Sequence, residues 1–126
     1  MKKSFTTKDE SKLLTNHGLH PNTSDFYYRG DDLRYPDLKE PFPDAFWTEY
    51  DWLPIHKPCW SLGRLLELLS EHGKIELEIS KDNNRLLYKQ EDENGELQIV
   101  FSVDGESVME CVIKTVLLYL EKEKDI

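Results

Sequence analysis

The chain has 126 residues, which suits one domain, and a domain of this size buries roughly two-thirds of the surface of its unfolded chain. Its 14 aromatic side chains argue against disorder, although 33% of the residues are charged. The net charge of -9 opposes nonspecific binding to nucleic acid or to an anionic membrane, and no apolar run reaches the length of a membrane span. We therefore expect one soluble, cytoplasmic domain over 1–126, with no membrane partner and no direct nucleic-acid partner.

The first half, 1–60, is predicted to be rich in loops and aromatic residues. Thr7 and Glu10 have the spacing of a capping box, and Gly18 suits a helix end, so a helix is expected over 8–16. The stretch 19–60 then combines a high density of prolines and aspartates with ten large aromatic residues, Trp60 included. These features predict a long, ordered aromatic loop, with a short strand near 26–28 and a helical turn near 44–50.

The second half, 61–126, begins with a leucine-rich helix predicted over 62–72. Four leucines follow the spacing of an amphipathic helix and are expected to be buried: Leu62, Leu65, Leu66 and Leu69. Ser61 is the expected N-cap, and Gly73 is expected to end the helix in a left-handed conformation. The preceding Trp60 is predicted to pack in the core and to pin the aromatic loop onto the second half.

A three-stranded antiparallel meander is predicted over 74–103, followed by a helix over 107–122. Ile75, Leu77 and Ile79 alternate with glutamates, which indicates a strand with one face inward. The last strand is expected to place its own apolar residues on one face: Leu97, Ile99 and Phe101. An Asn-Gly turn at 94–95 joins the second and third strands. The fold class is therefore α+β, a small sheet covered by two or three helices.

Four segments in this order resemble a group of short accessory proteins encoded in prophages and other mobile elements of gut Bacteroidetes. They are the Thr-Lys-Asp-Glu-Ser-Lys-Leu-Leu opening with Gly18-Leu19, the Pro-Asn-Thr-Ser-Asp run at 21–25, the Pro-Cys-Trp-Ser-Leu run at 58–62, and Glu-Cys-Val at 110–112. The resemblance covers nearly the whole chain. It implies an origin as an accessory gene and carries over no catalytic residue.

Two pairs of residues with two-residue gaps have the spacing of a structural zinc site: His17 with His20, and His56 with Cys59. Cys59 also lies near a helix N-terminus, which would favour a nucleophilic thiolate. The alternative interpretation places both early histidines on the surface and makes Cys59 a small buried hydrophobe, with Cys111 in the core. No phosphate-binding glycine motif is present.

Three aromatic residues alternate with acidic ones and have the composition of a protein-binding surface: Trp47, Tyr50 and Trp52. The alternative is that they cover the sheet, and the run at 91–93 is interpreted as a solvated turn. Residues 61–126 carry 15 acidic against 8 basic side chains.

We therefore expect a non-enzymatic protein–protein interaction module or inhibitor of a mobile element, without a cofactor. In one version of this hypothesis the acidic half mimics a nucleic acid. The protein would be a monomer or a homodimer. The alternative is a small zinc-binding protein or a cysteine-dependent enzyme.

Overall fold

A computed structural model describes residues 4–29, 32–34 and 56–123. The elements in chain order are helix α1 (Lys8–Asn16), a 3₁₀ turn (Pro21–Thr23), strands β1 (Phe26–Arg29), β2 (Asp32–Arg34) and β3 (His56–Cys59), helix α2 (Leu62–Ser70), strands β4 (Lys74–Ile79), β5 (Asn84–Glu91) and β6 (Leu97–Gly105), and helix α3 (Val108–Glu123). This is the predicted α+β fold with its antiparallel meander, in the order β4-β5-β6. Within the described residues, every helix is too short or too polar to cross a bilayer.

The range 19–60, predicted as a long loop, holds a second antiparallel sheet in its described parts, in the order β2-β1-β3. Strand β1 is the short strand that the aromatic residues predict. Strand β3 was missed because the density of prolines and aspartates in this stretch predicts a loop. In the structure Pro58 of β3 pairs with Tyr27 of β1. Because β3 is an edge strand, it tolerates a residue without an amide hydrogen. The helical turn predicted near 44–50 lies outside the described residues.

Helix α1 begins and ends where the sequence predicts. Thr7 Oγ1 accepts a hydrogen bond from the Glu10 amide at 3.1 Å, and Glu10 Oε1 accepts one from the Thr7 amide at 2.8 Å. This reciprocal pair satisfies two amides that a helix start otherwise leaves without partners. Gly18 follows with a φ of 109°, in the left-handed region that favours glycine.

Helix α2 begins at the predicted N-cap, where Ser61 Oγ accepts from the Arg64 amide at 3.1 Å. Its buried face differs in part from the predicted stripe, since Leu65 and Leu69 are buried as expected but Leu62 and Leu66 are only half-buried. Leu68 is buried in their place. Helix α2 packs against α3 and β4, and this packing determines which of its faces is buried. The spacing of the leucines alone does not determine that face, because leucines lie on both neighbouring faces of the helix.

Gly73 does not end α2 in a left-handed conformation, so that prediction is wrong. The helix ends at Ser70, and Glu71 keeps a right-handed helical backbone. Gly73 instead lies where a β-carbon would stand 2.6 Å from the Lys89 carbonyl oxygen and 2.7 Å from Cζ of Tyr88. The glycine permits a close approach between the α2–β4 connection and strand β5.

A β-bulge in the larger sheet overturns the prediction that Leu97, Ile99 and Phe101 share one face. Tyr88 pairs with Phe101, but its neighbour Lys89 pairs with Ile99, so Val100 is an extra residue in β6. The insertion reverses the alternation of side chains. Val100 and Phe101 both pack against the core, whereas Ile99 and Leu97 lie on the opposite, outer face.

The helices cover one face of β5 and β6, and the core lies between them. Fifteen buried residues form it, including Trp60 and Cys111, as predicted. Strand β4 is covered less completely. Ile75 is half-buried, but Leu77 and Ile79, further from the end of α2, are exposed, so the predicted inward face of β4 is only partly inward.

Candidate functional site

The predicted aromatic binding residues, Trp47, Tyr50 and Trp52, lie outside the described residues. Of the predicted metal ligands, His17 and His20 are exposed and Cys59 is buried, while the His56 side chain lies outside the described part. His17 Nδ1 is 2.9 Å from the Leu13 carbonyl oxygen. His20 Nδ1 accepts from the Asn22 amide at 3.1 Å. Each histidine thus uses one ring nitrogen locally, and the described residues contain no group of three or more potential metal ligands.

Cys59 lies in a buried polar seam that joins the N-terminal segment to β3. Its Sγ is 3.4 Å from the Thr6 carbonyl oxygen, which also accepts a hydrogen bond from the Tyr28 hydroxyl at 2.6 Å. Thr6 Oγ1 is 2.7 Å from Ser11 Oγ and accepts from the Trp60 amide at 3.1 Å. Every one of these groups has a partner inside the protein, and the seam holds two distant segments together.

Burial raises the pKa of the Cys59 thiol above its ordinary value, despite the opposing hydrogen bond with Thr6. Burial also raises the pKa of Tyr28 to about 12. Cys59 is therefore a neutral thiol at neutral pH. Since the thiolate is the nucleophile, and since the side chain is fully enclosed, the seam has the chemistry of a packing contact.

We expect neither cysteine of the native protein to react with a thiol reagent such as DTNB at pH 7.5. Both thiols are buried, and burial raises the pKa of Cys111 as it does that of Cys59. Titration with the reagent before and after denaturation checks this. No thiol should react in the native protein, and two should react in the unfolded chain. Because the folded-state pKa values are raised, the stability that they contribute is complete at neutral pH and falls as the pH rises above the ordinary thiol range. A thiol that reacts within seconds in the native state would contradict the packing role.

The most prominent exposed feature is the β5–β6 hairpin. Nine consecutive residues, 91–99, are exposed. The tip carries four carboxylates with no basic residue among them: Glu91, Asp92, Glu93 and Glu96. In the described ranges none of the four takes part in an ion pair. Immediately after them come two exposed aliphatic side chains, Leu97 at 44% and Ile99 at 58% exposure.

Asp92 organises the tip of this hairpin. Its Oδ1 accepts from the backbone amides of Asn94 at 2.8 Å and Glu96 at 3.0 Å. Its Oδ2 accepts from the side-chain nitrogen Nε2 of Gln98 at 3.2 Å. These bonds, the one from the Glu96 amide first, lower the pKa of Asp92 below its ordinary value. Gly95 completes the turn with a φ of 79°, as the Asn-Gly pair predicts. The other carboxylates are thus displayed on an ordered turn.

Elsewhere on this sheet two acidic side chains form ion pairs. Lys89 Nζ is 3.0 Å from a Glu76 oxygen, and Arg85 Nε is 2.8 Å from an Asp104 oxygen, which lowers the pKa of Asp104. The negative charge that remains without a nearby partner on this sheet is concentrated at the hairpin tip. The hairpin therefore combines a local acidic field with apolar contact area.

Sequence reasoning missed this hairpin as a functional candidate. The acidic run at 91–93 was interpreted only as a solvated turn, and Leu97 and Ile99 were expected to share one face of the strand with Phe101. One feature of the sequence hints at the outcome, because Val100 and Phe101 are adjacent apolar residues that break the alternation of a regular strand.

Comparison of the chain with protein-family models, with curated protein sequences and with solved structures gives no match in any of the three.

Proposed function

We propose that this chain is a non-enzymatic protein–protein interaction module that binds a basic partner through the β5–β6 hairpin, 91–99. The observation that supports this most directly is the run of nine exposed residues in which unpaired carboxylates adjoin Leu97 and Ile99. In this proposal the carboxylates of the hairpin tip are the part of the acidic second half that contacts the partner. The aromatic residues predicted to bind lie outside the described part and add nothing to the proposal.

The two kinds of side chain would have different tasks in such an interface. Exposed carboxylates steer an oppositely charged partner and raise the association rate, and salt weakens this effect. Leu97 and Ile99 would supply apolar area that becomes desolvated on contact, which slows dissociation. Because Asp92 holds the turn, little ordering of the hairpin would be required on binding.

A basic partner includes the class of proteins that bind nucleic acids, so the finer version of the proposal is an inhibitor that occupies a nucleic-acid groove. The clustered carboxylates would take the place of phosphates there. An origin in a mobile element fits such a role and remains a prediction from the resemblance. The zinc-binding and cysteine-enzyme alternatives also remain predictions, and no contact among the described residues favours them.

The test is a pull-down from host-cell lysate with the purified full chain as bait, at about 50 and 300 mM salt. Two concentrations are used because association driven by exposed charges weakens as salt rises. Two double variants separate the contributions. Glu93→Gln with Glu96→Gln removes charge but keeps Asp92 and the turn, and Leu97→Ser with Ile99→Ser removes apolar area. We expect the first variant to lose salt-sensitive capture and the second to release the partner faster at either salt concentration.

The matched control for charge is Asp82→Asn with Glu106→Gln. These exposed carboxylates lie at the opposite end of the sheet, and their replacement changes the net charge by the same amount. The matched control for apolar area is Leu13→Ser, since Leu13 is 41% exposed on α1. Capture that is equally weakened by hairpin and control variants, or no capture by a monodisperse wild-type protein, would refute the proposal.

A further inference from the structure

Strand β6 forms one edge of the larger sheet. Its central part contains the bulge at Val100 but lacks the charged residues and prolines that commonly protect an edge strand. Residues 97–103 are Leu-Gln-Ile-Val-Phe-Ser-Val, seven residues without a charge or a proline. They have high β-propensity, and an edge strand presents unpaired amides and carbonyls to any strand alongside. All hydrogen bonds, ion pairs and ring contacts of these seven residues are with other residues that the structure describes. The edge is open over the described ranges.

The other edge, β4, is protected in a recognisable way. Lys74, Glu76 and Glu78 alternate along it, and charged side chains of this kind discourage edge-to-edge pairing. The contrast within one small sheet singles out β6 as the edge that is suited to accept a strand.

A groove of about 480 Å³ lies between helix α3 and one end of β6, residues 102–104. Its apolar lining comes from Val103, Leu117 and Leu118. The polar and charged lining residues are His17, Ser102, Asp104, Lys114 and Glu121. When a peptide adds to a sheet edge, main-chain hydrogen bonds supply affinity while alternate side chains enter pockets on one face. Here the groove would receive those side chains.

Charge identifies the kind of strand that fits. Glu96 lies at one end of the uncharged stretch, next to the acidic tip. Asp104, which forms an ion pair with Arg85, lies at the other end. A second copy, paired antiparallel about residue 100, would place Glu96 opposite the partner's Asp104 and each acidic tip beyond the partner's Asp104. Like charges opposite one another disfavour pairing. Basic residues at the ends of an incoming strand would instead face these carboxylates.

We propose that β6 is a strand-addition site for an extended, β-prone segment of a partner protein that carries basic residues at its ends. The inference rests on the proposed function and specifies how the hairpin contacts its partner: the acidic tip attracts the segment, β6 pairs with its backbone, and the α3 groove accepts its inward side chains.

Amide hydrogen exchange with a synthetic probe tests this. The probe is a nine-residue peptide of alternating valine and threonine with a lysine at each end, added to the full chain. We expect slower exchange at outward-facing amides of β6, by about tenfold when the peptide is at roughly nine times its Kd, because protection grows as one plus the ratio of ligand to Kd. The amides of β4 should not change.

Three comparisons make the outcome decisive. An analogue with proline at its centre should give no protection of β6, and an analogue with glutamate ends should give less than the lysine peptide. Ile99→Lys should abolish protection, whereas Ile79→Lys, at a 70% exposed isoleucine on β4, should leave it intact. Equal protection by the proline analogue, or a dimer that protects β6 without peptide, would overturn the inference. If the peptide does not protect β6 while the hairpin variants still lose capture, strand addition is wrong and the proposed function stands.

Discussion

Replacing Trp60 by alanine is expected to lower the free energy of unfolding by about 3 to 5 kcal/mol, the range for removal of a large buried aromatic side chain. The side chain is completely buried in the core. Its Nε1 donates to Thr23 Oγ1 at 3.0 Å. Its backbone amide donates to Thr6 Oγ1 at 3.1 Å, and its carbonyl oxygen accepts from the Thr6 amide at 3.0 Å. Trp60 thus joins the N-terminal segment, the 3₁₀ turn and α2. Guanidinium denaturation monitored by circular dichroism measures the change.

Two further variants show what the Trp60 result means. Trp60→Phe keeps most of the apolar volume but loses the bond to Thr23, so its cost should be clearly smaller than that of alanine. Leu118→Ala, on the exposed side of α3, should change stability by less than about 0.5 kcal/mol. A Trp60→Ala protein that unfolds at the wild-type denaturant concentration with an unchanged slope would show that this residue does not anchor the core.

Replacing Gly73 by alanine is expected to destabilise the protein by about 1 to 3 kcal/mol, the usual cost of overpacking. The added carbon would lie 2.6 Å from the Lys89 carbonyl oxygen and 2.7 and 2.8 Å from Cζ and Oη of Tyr88. The carbonyl belongs to a paired strand, and the fully buried Tyr88 is held by its hydrogen bond to the Leu69 carbonyl at 3.1 Å. Neither neighbour can move without breaking other contacts. Thermal and chemical denaturation measure the loss.

Gly63 offers the matched control. It lies in the first turn of α2, where an added β-carbon meets nothing closer than Ser61 Oγ at 4.0 Å. Gly63→Ala should therefore stabilise the protein by about 0.4 to 1 kcal/mol, because alanine restricts the unfolded chain and favours the helix. Opposite signs for the two substitutions would confirm that the role of Gly73 is close packing. Equal and small effects would show that strand β5 can relax around the added carbon.

The helices were the part of the fold most accessible to prediction, because their ends depend on neighbouring residues. Thr7 and Ser61 cap α1 and α2 as their local spacing indicates, and Ser107 Oγ accepts from the Glu110 amide at 3.1 Å at the start of α3. The small sheet was less accessible. Strand β3 is defined by its pairing with β1, some thirty residues away. The prolines and aspartates between the two strands predict a loop instead.

The candidate site was the least accessible part. Four carboxylates around an Asn-Gly turn are visible in the sequence, but exposure of Leu97 and Ile99 follows from a single inserted residue, Val100. A strand pattern is read with a period of two, and one bulge exchanges the two faces beyond it. The zinc hypothesis depended on spacing in a similar way. The spacing pattern groups Cys59 with His17, His20 and His56. In the structure the Cys59 thiol instead contacts the Thr6 carbonyl oxygen inside the protein.

The amino-acid sequence by itself determined where α1 and α2 begin, where α1 ends, the order of the helices and of the meander strands, the acidity of the second half and the burial of Trp60. These properties depend on local hydrogen bonding, on composition and on the hydrophobicity of one large side chain. Only the tertiary structure decided which face of α2 is buried, why Gly73 is a glycine, and which edge and which face of the larger sheet remain free. Those properties depend on what packs alongside, and in this chain the candidate binding surface is defined by the places that packing leaves uncovered.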